Sequence, residues 1–180
     1  MSSVIPGMRS ADHMGFVVPD LDEAVSFFVE VLGAEEVFGI APISDPNGDS
    51  MPRKVGVHPR ATVRGAMLRF GPATNVEFLQ YDVPGQAKAP PEVSDIGAAH
   101  LAVFVDGIDA AGERLRSEPR VSWVGEASAV AGDQPHAGLV NLFCTTSWGM
   151  LIELVNYRHL PYERDTSARM WGPAAAWSNR

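Results

Sequence analysis

Apolar residues recur along this chain first at strand spacing and then at helical spacing, and the whole succession occurs twice. His13-Met-Gly-Phe-Val-Val18 is a short run of strand formers ended by Pro19-Asp20. Leu21, Ala24, Val25, Phe28 and Leu32 then form a helical stripe closed by Gly33, with Asp20 as N-cap and Glu23 as its capping-box partner. A second strand begins at Val37-Phe38. Residues 39–62, rich in Pro, Gly, Asp and Ser, read as a long loop. Strands over 63–70 and 75–81, parted by Gly71-Pro72, complete a β-α-β-β-β order. A linker over 83–95 contains three prolines. The order then repeats, with a strand over 97–105, a helix over 107–117 and strands near 121–125, 139–145 and 149–157. The chain thus reads as a module over 10–82, a linker over 83–95, a module over 96–158 and a tail over 159–180.

The repeat extends to individual residues. His100 lies 87 positions after His13, and at the same offset Val105 matches Val18, Asp109 matches Asp22 and Ala111 matches Ala24. Val76-Glu77-Phe-Leu-Gln-Tyr81 matches Ile152-Glu153-Leu-Val-Asn-Tyr157 at an offset of 76. Each module therefore offers one His on its first strand and one Glu on its last. Both carboxylates stand in strongly apolar strands, where an unpaired charge is costly. A metal ion or strong hydrogen bonds must compensate.

Composition narrows the function classes. A chain of 180 residues with 46% hydrophobic and 20% charged content is that of an ordinary globular protein with room for a sizeable core. A net charge of −8 argues against a general nucleic-acid binder. Cys144 is the single cysteine, so a disulfide framework is excluded. No run approaches the roughly 18 apolar residues of a membrane span, and Met1-Ser-Ser-Val-Ile-Pro-Gly lacks a signal-peptide core. The expected setting is cytoplasmic. Arg53, Lys54, Arg60, Arg64 and Arg69 fall in a window, residues 51–70, that holds no acid. Within it, Arg64 and Arg69 are candidate contacts for a carboxylate or phosphate of a substrate. His136, in a loop before a core strand, is a further candidate at the substrate. Tyr162, Trp171 and Trp177 in the tail suggest packing against the body or a partner.

The paired pattern resembles the vicinal oxygen chelate superfamily, whose members include glyoxalase I, epimerases, extradiol dioxygenases and bleomycin-resistance proteins. The residues that carry the resemblance are His13 with Asp20-Leu-Asp-Glu-Ala24, Val76-Glu77-Phe78, Ala99-His100-Leu101 and Trp148-Gly149-Met-Leu-Ile-Glu153-Leu. Thr145-Thr146-Ser147 departs from the family's acidic-proline turn. The resemblance implies an α+β glyoxalase fold, two βαβββ modules forming a cupped, incomplete barrel-like sheet. It also implies one divalent ion (Zn, Ni, Co, Mn or Fe) on His13, Glu77, His100 and Glu153. Two imidazoles and two carboxylates suit such ions. The expected activity is that of an isomerase or epimerase on a small oxygenated substrate. The ion polarises a carbonyl, and Glu77 or Glu153 takes and returns the neighbouring proton. A glyoxalase I-like lyase, an extradiol-type dioxygenase and a ligand-binding resistance protein are the alternatives. A homodimer is expected, since two-module chains of this family often pair.

Overall fold

The computed structural model describes residues 5–72, 74–168 and 170, so the expectations for Trp171 and Trp177 lie outside the described residues. The chain divides into two compact units, one reaching Gln86 and the other beginning at Ala87.

In the first unit, β1 (Met14–Val17), β2 (Glu35–Ile43), β3 (Thr62–Phe70) and β4 (Thr74–Asp82) form a sheet in the order β1-β4-β3-β2. β1 runs parallel to β4, and the remaining pairings are antiparallel. The helix α1 (Leu21–Glu30) supplies the crossover. It starts where expected because the Asp20 carboxylate accepts the backbone N–H groups of Asp22 and Glu23. Leu21, Ala24, Phe27 and Phe28 on one stripe of α1 are buried. Phe28 stacks on Phe78 at 4.4 Å and meets Phe70 edge-on at 5.7 Å. With Val76, Leu68 and Ala66, these rings make the core of the unit.

The second unit repeats the plan. β5 (His100–Phe104), β6 (Val121–Trp123), β8 (Val140–Thr146) and β9 (Leu151–Asn156) take the order β5-β9-β8-β6. The crossover helix α3 (Ile108–Arg116) lies close to β8: a Cβ on Gly112 would come within 3.0 Å of a Leu142 methyl. Cys144 is buried as filler, and burial pushes its thiol up to about 11. Trp148-Gly149 lies at the last turn, where Gly149 has φ 87° and the Thr146 hydroxyl accepts the N–H of Met150. Among the described residues no helix is long and apolar enough to cross a membrane.

Two local expectations are corrected. The segment 39–62 is not all loop: β2 continues to Ile43, and a short helix, α2 (Ser50–Val55), follows it. Gly39 and Pro42 read as breakers. However, β2 is an edge strand, where a proline forfeits no ladder bond it needs. Ile40 and Ile43 meanwhile register with Gly65 and Val63. Met51 anchors α2 by being buried. In the second unit an additional short strand, β7 (Ser128–Ala129), pairs with β8. The tail begins against the same unit, since Tyr162 donates its backbone N–H to the Pro135 carbonyl at 2.9 Å.

The aromatic cluster carries the stability of the first unit. Phe28→Ala should cost about 3–5 kcal/mol in urea denaturation, whereas Val25→Ala, at a partly buried position, should cost under about 1.5 kcal/mol. Equal, small losses from both would contradict this account of the core.

Candidate active site

Pleating decides which residues of β4 face away from α1. Val76 and Phe78 are fully buried on the helix side, so Glu77, Leu79 and Tyr81 face the other way. Glu77 registers with Gly15 on β1 and with Met67 on β3. His13 lies two residues before Gly15 and therefore on the same face, diagonal to Glu77. Its Nε2 is 3.6 Å from Glu77 Oε2.

The second unit reproduces this relation. Glu153 registers with Ala102 on β5 and Phe143 on β8, and His100 lies two residues before Ala102. His100 Nε2 is 3.2 Å from Glu153 Oε2. Its ring also meets Phe143 edge-on at 6.4 Å. The same His–Glu pair thus arises twice from one register rule. The carboxylates are the more buried partners, with side chains 20% exposed at Glu77 and 13% at Glu153, against 37% and 50% for His13 and His100. In such surroundings a carboxylate gains more from a nearby cation than it would in water.

Two neighbours that the sequence did not single out touch these pairs. The Asp12 carboxylate lies 2.7 Å from His13 Nδ1, leaving Nε2 turned toward Glu77. This hydrogen bond, and after it the field of Glu77, raises the His13 pKa above 6.5. In the second unit, Asn141 Nδ2 donates to Glu153 Oε1 at 3.3 Å, and Ser128 Oγ lies 3.2 Å from Asn141 Oδ1. The available signals were weak: an acid immediately before His13, and one amide inside the apolar run Val140-Asn-Leu-Phe-Cys144.

The two candidate arginines part company. Arg69 registers between Glu35 and Asn75, on the face of Glu77 and at its His13 end, and pairs with Glu35. Arg64 registers with Gln80 on the opposite face. There its guanidinium forks onto Asp22 at 3.0 and 2.9 Å and reaches Gln80 Oε1 at 3.1 and 2.9 Å. Gln80 Oε1 also accepts the backbone N–H of Leu21. Arg64 therefore ties α1 to the sheet and is not brought to Glu77. The reason is strand parity, which puts residues 64 and 77 on opposite faces. His136 is exposed at the tip of the β7–β8 connection, where its carbonyl accepts the N–H of Leu139.

The donor chemistry fits a divalent ion. In each pair the imidazole nitrogen and carboxylate oxygen are closer than the span of about 4.2 Å that two bonds of about 2.1 Å can bridge. Among the described residues, no group of three or more His, Cys, Asp or Glu forms a metal cluster; the four expected ligands form two pairs, one in each unit.

Known proteins resemble the chain in sequence and in fold. Residues 12–135 match the family model of the Glyoxalase/Bleomycin resistance protein/Dioxygenase superfamily. The chain is 43% identical over 176 residues, 97% of its length, to a 2-epi-5-epi-valiolone epimerase from an Actinomyces species, of which it covers 94%. Its fold resembles that of a glyoxalase family protein from Bacillus cereus, with a TM-score of 0.65 at 23% identity over 85% of this chain and 97% of that one. It also resembles glyoxalase I from Zea mays, with a TM-score of 0.54 at 20% identity, covering 82% of this chain and 44% of that one.

The contact of Asp12 with His13 has a titratable consequence. Protonated His13 is favoured by folding, so its contribution to stability is present below 6.5 and lost as pH rises through the higher folded value. In the metal-free protein, NMR titration should place His13 above 6.5, and Asp12→Asn should lower it. A His13 pKa unmoved by that substitution would remove Asp12 from the site.

Proposed function

We infer that this chain, which belongs to the Glyoxalase/Bleomycin resistance protein/Dioxygenase superfamily, is an epimerase-type enzyme within it. We propose that it inverts a carbon centre beside the carbonyl of a small hydroxyketone, and that His13, Glu77, His100 and Glu153 hold one divalent ion for that purpose. The observation that carries this reading is the repeated pairing of an imidazole nitrogen with a carboxylate oxygen at the same register position of both sheets. The name of the epimerase relative points to a valiolone-type ketone as the substrate class.

The chain's own residues supply binding and proton transfer. A bound divalent ion would polarise the substrate carbonyl and so acidify the neighbouring C–H. The imidazoles of His13 and His100 contribute neutral nitrogen donors, which leave the carboxylates as the only anionic ligands. Either Glu77 or Glu153 can accept the proton into a carboxylate oxygen while the C–H electron pair moves into the carbonyl. Return of a proton to the opposite face of that carbon gives the epimer. Met67 and Phe143, registered beside the two carboxylates, keep their surroundings apolar. Arg69 lies on the Glu77 face and is the cation we assign to an anionic or hydroxyl group of the substrate. His136 is a second substrate contact in this reading.

A homodimer suits the apolar surface along β2, where Val37, Phe38 and Ile43 are each about half exposed.

Metal analysis tests the ligand set. The wild-type protein should carry about one divalent ion per chain, and His13→Ala, Glu77→Ala, His100→Ala and Glu153→Ala should each lose most of it. Full occupancy in all four variants would overturn the assignment. Arg69→Ala should raise KM with an unchanged melting temperature, whereas Arg64→Ala should lower the melting temperature and leave KM alone. The reverse pattern would exchange their roles. Light scattering should give twice the chain mass at micromolar concentration, and Phe38→Glu should shift it toward the monomer. A monomeric wild-type protein would contradict the dimer.

A further inference from the structure

The two glutamates are not held alike. Glu153 Oε1 accepts a hydrogen bond from Asn141 Nδ2 at 3.3 Å, and the Asn141 carbonyl oxygen lies 3.2 Å from the Ser128 hydroxyl. The arrangement fixes the amide, since Ser128 donates to Oδ1 and Nδ2 is left to face the carboxylate. Asn141 lies on the face of Glu153, two residues before Phe143, its registered neighbour. In the first unit the position 76 residues earlier is Gly65. A Cβ there would come within 2.8 Å of both a Leu79 methyl and the Phe78 carbonyl oxygen, so no side chain fits. Among the described residues Glu77 accepts no hydrogen bond, and its polar contact is His13 Nε2 at 3.6 Å.

We propose that Asn141, backed by Ser128, is a positioning residue that holds Glu153 in one orientation as a standing ligand, while Glu77 keeps the freedom to rotate. This rests on the metal-binding reading given above. A donor on one carboxylate oxygen fixes the plane of the group and directs its second oxygen, Oε2, toward His100 Nε2. Loss of such outer partners weakens metal binding by about 10- to 100-fold.

Two measurements test it. The first needs no metal: the side-chain amide protons of Asn141, followed by NMR in metal-free protein. They should exchange slowly with solvent in the wild type and faster in Glu153→Ala and Ser128→Ala. Fast exchange in the wild type would overturn the proposal. The second is a Co2+ titration of the wild type, Asn141→Leu and Ser128→Ala. Asn141→Leu keeps the branched outline of the side chain and removes the donor. It should bind Co2+ about 10- to 100-fold more weakly at unchanged melting temperature. Ser128→Ala should lose less, because the amide can still donate. Wild-type affinity in Asn141→Leu would overturn the proposal. Slow amide exchange in a wild-type protein that binds no Co2+ would instead remove the metal reading and leave the hold of Asn141 on Glu153 standing.

Discussion

Glu77 has Val76, Phe78 and Leu79 around it in its strand, and Glu153 has Leu151, Ile152, Leu154 and Val155. An ionised carboxylate loses much of its hydration there, and sheet geometry limits what can replace it. Along a strand, alternate side chains go to opposite faces. Its neighbours in the ladder are therefore the registered residue on each side and those two positions away. In both sheets the place two residues before the registered partner on the parallel strand is a histidine. The helix face of each sheet is taken up by packing against its helix, with the Arg64–Asp22–Gln80 contact beside the apolar core of the first, so the charge is answered on the other face. Helix packing thus sets which side of the sheet can carry chemistry.

The units then diverge around a shared frame. In the first, the histidine has the outer partner, Asp12, and the carboxylate is flanked by Gly15 and Met67. In the second, the carboxylate has the outer partner, Asn141, and the flanking residues are Ala102 and Phe143. One pair is steadied through its nitrogen and the other through its oxygen. For the proposed removal and return of a carbon-bound proton, unequal freedom of the two carboxylates would be a chemical resource. A firmly held carboxylate binds, and a loosely held one can approach substrate.

Much of this was legible in the residues because the chain repeats itself. His13 and His100 recur at one offset and Glu77 and Glu153 at another, which separates them from isolated polar residues on apolar strands. Register was harder to read. Arg64 and Arg69 look equivalent in a list of cations, yet parity across the β3–β4 hairpin sends one to the helix face and the other to the Glu77 face. A one-residue slip in that turn would exchange them. The parallel β1–β4 and β5–β9 pairings join residues more than 50 positions apart and have no local signal. Asn141 escaped notice because an amide in a strand is ordinarily solvated, and only its contact with Glu153 gives it meaning. The hidden end of β2 and helix α2 were masked by Pro and Gly that are harmless at an edge strand and a helix start.

The central claim is that this chain exchanges one carbon-bound proton beside a carbonyl, using paired carboxylates. Proton NMR of a valiolone-type ketone incubated with the enzyme in D2O tests it most directly. The account predicts deuterium at the single inverted carbon as the epimer forms, with exchange reduced at least about 100-fold in Glu77→Gln and in Glu153→Gln. Epimer formed without deuterium at that carbon, or exchange undiminished in both variants, would contradict it.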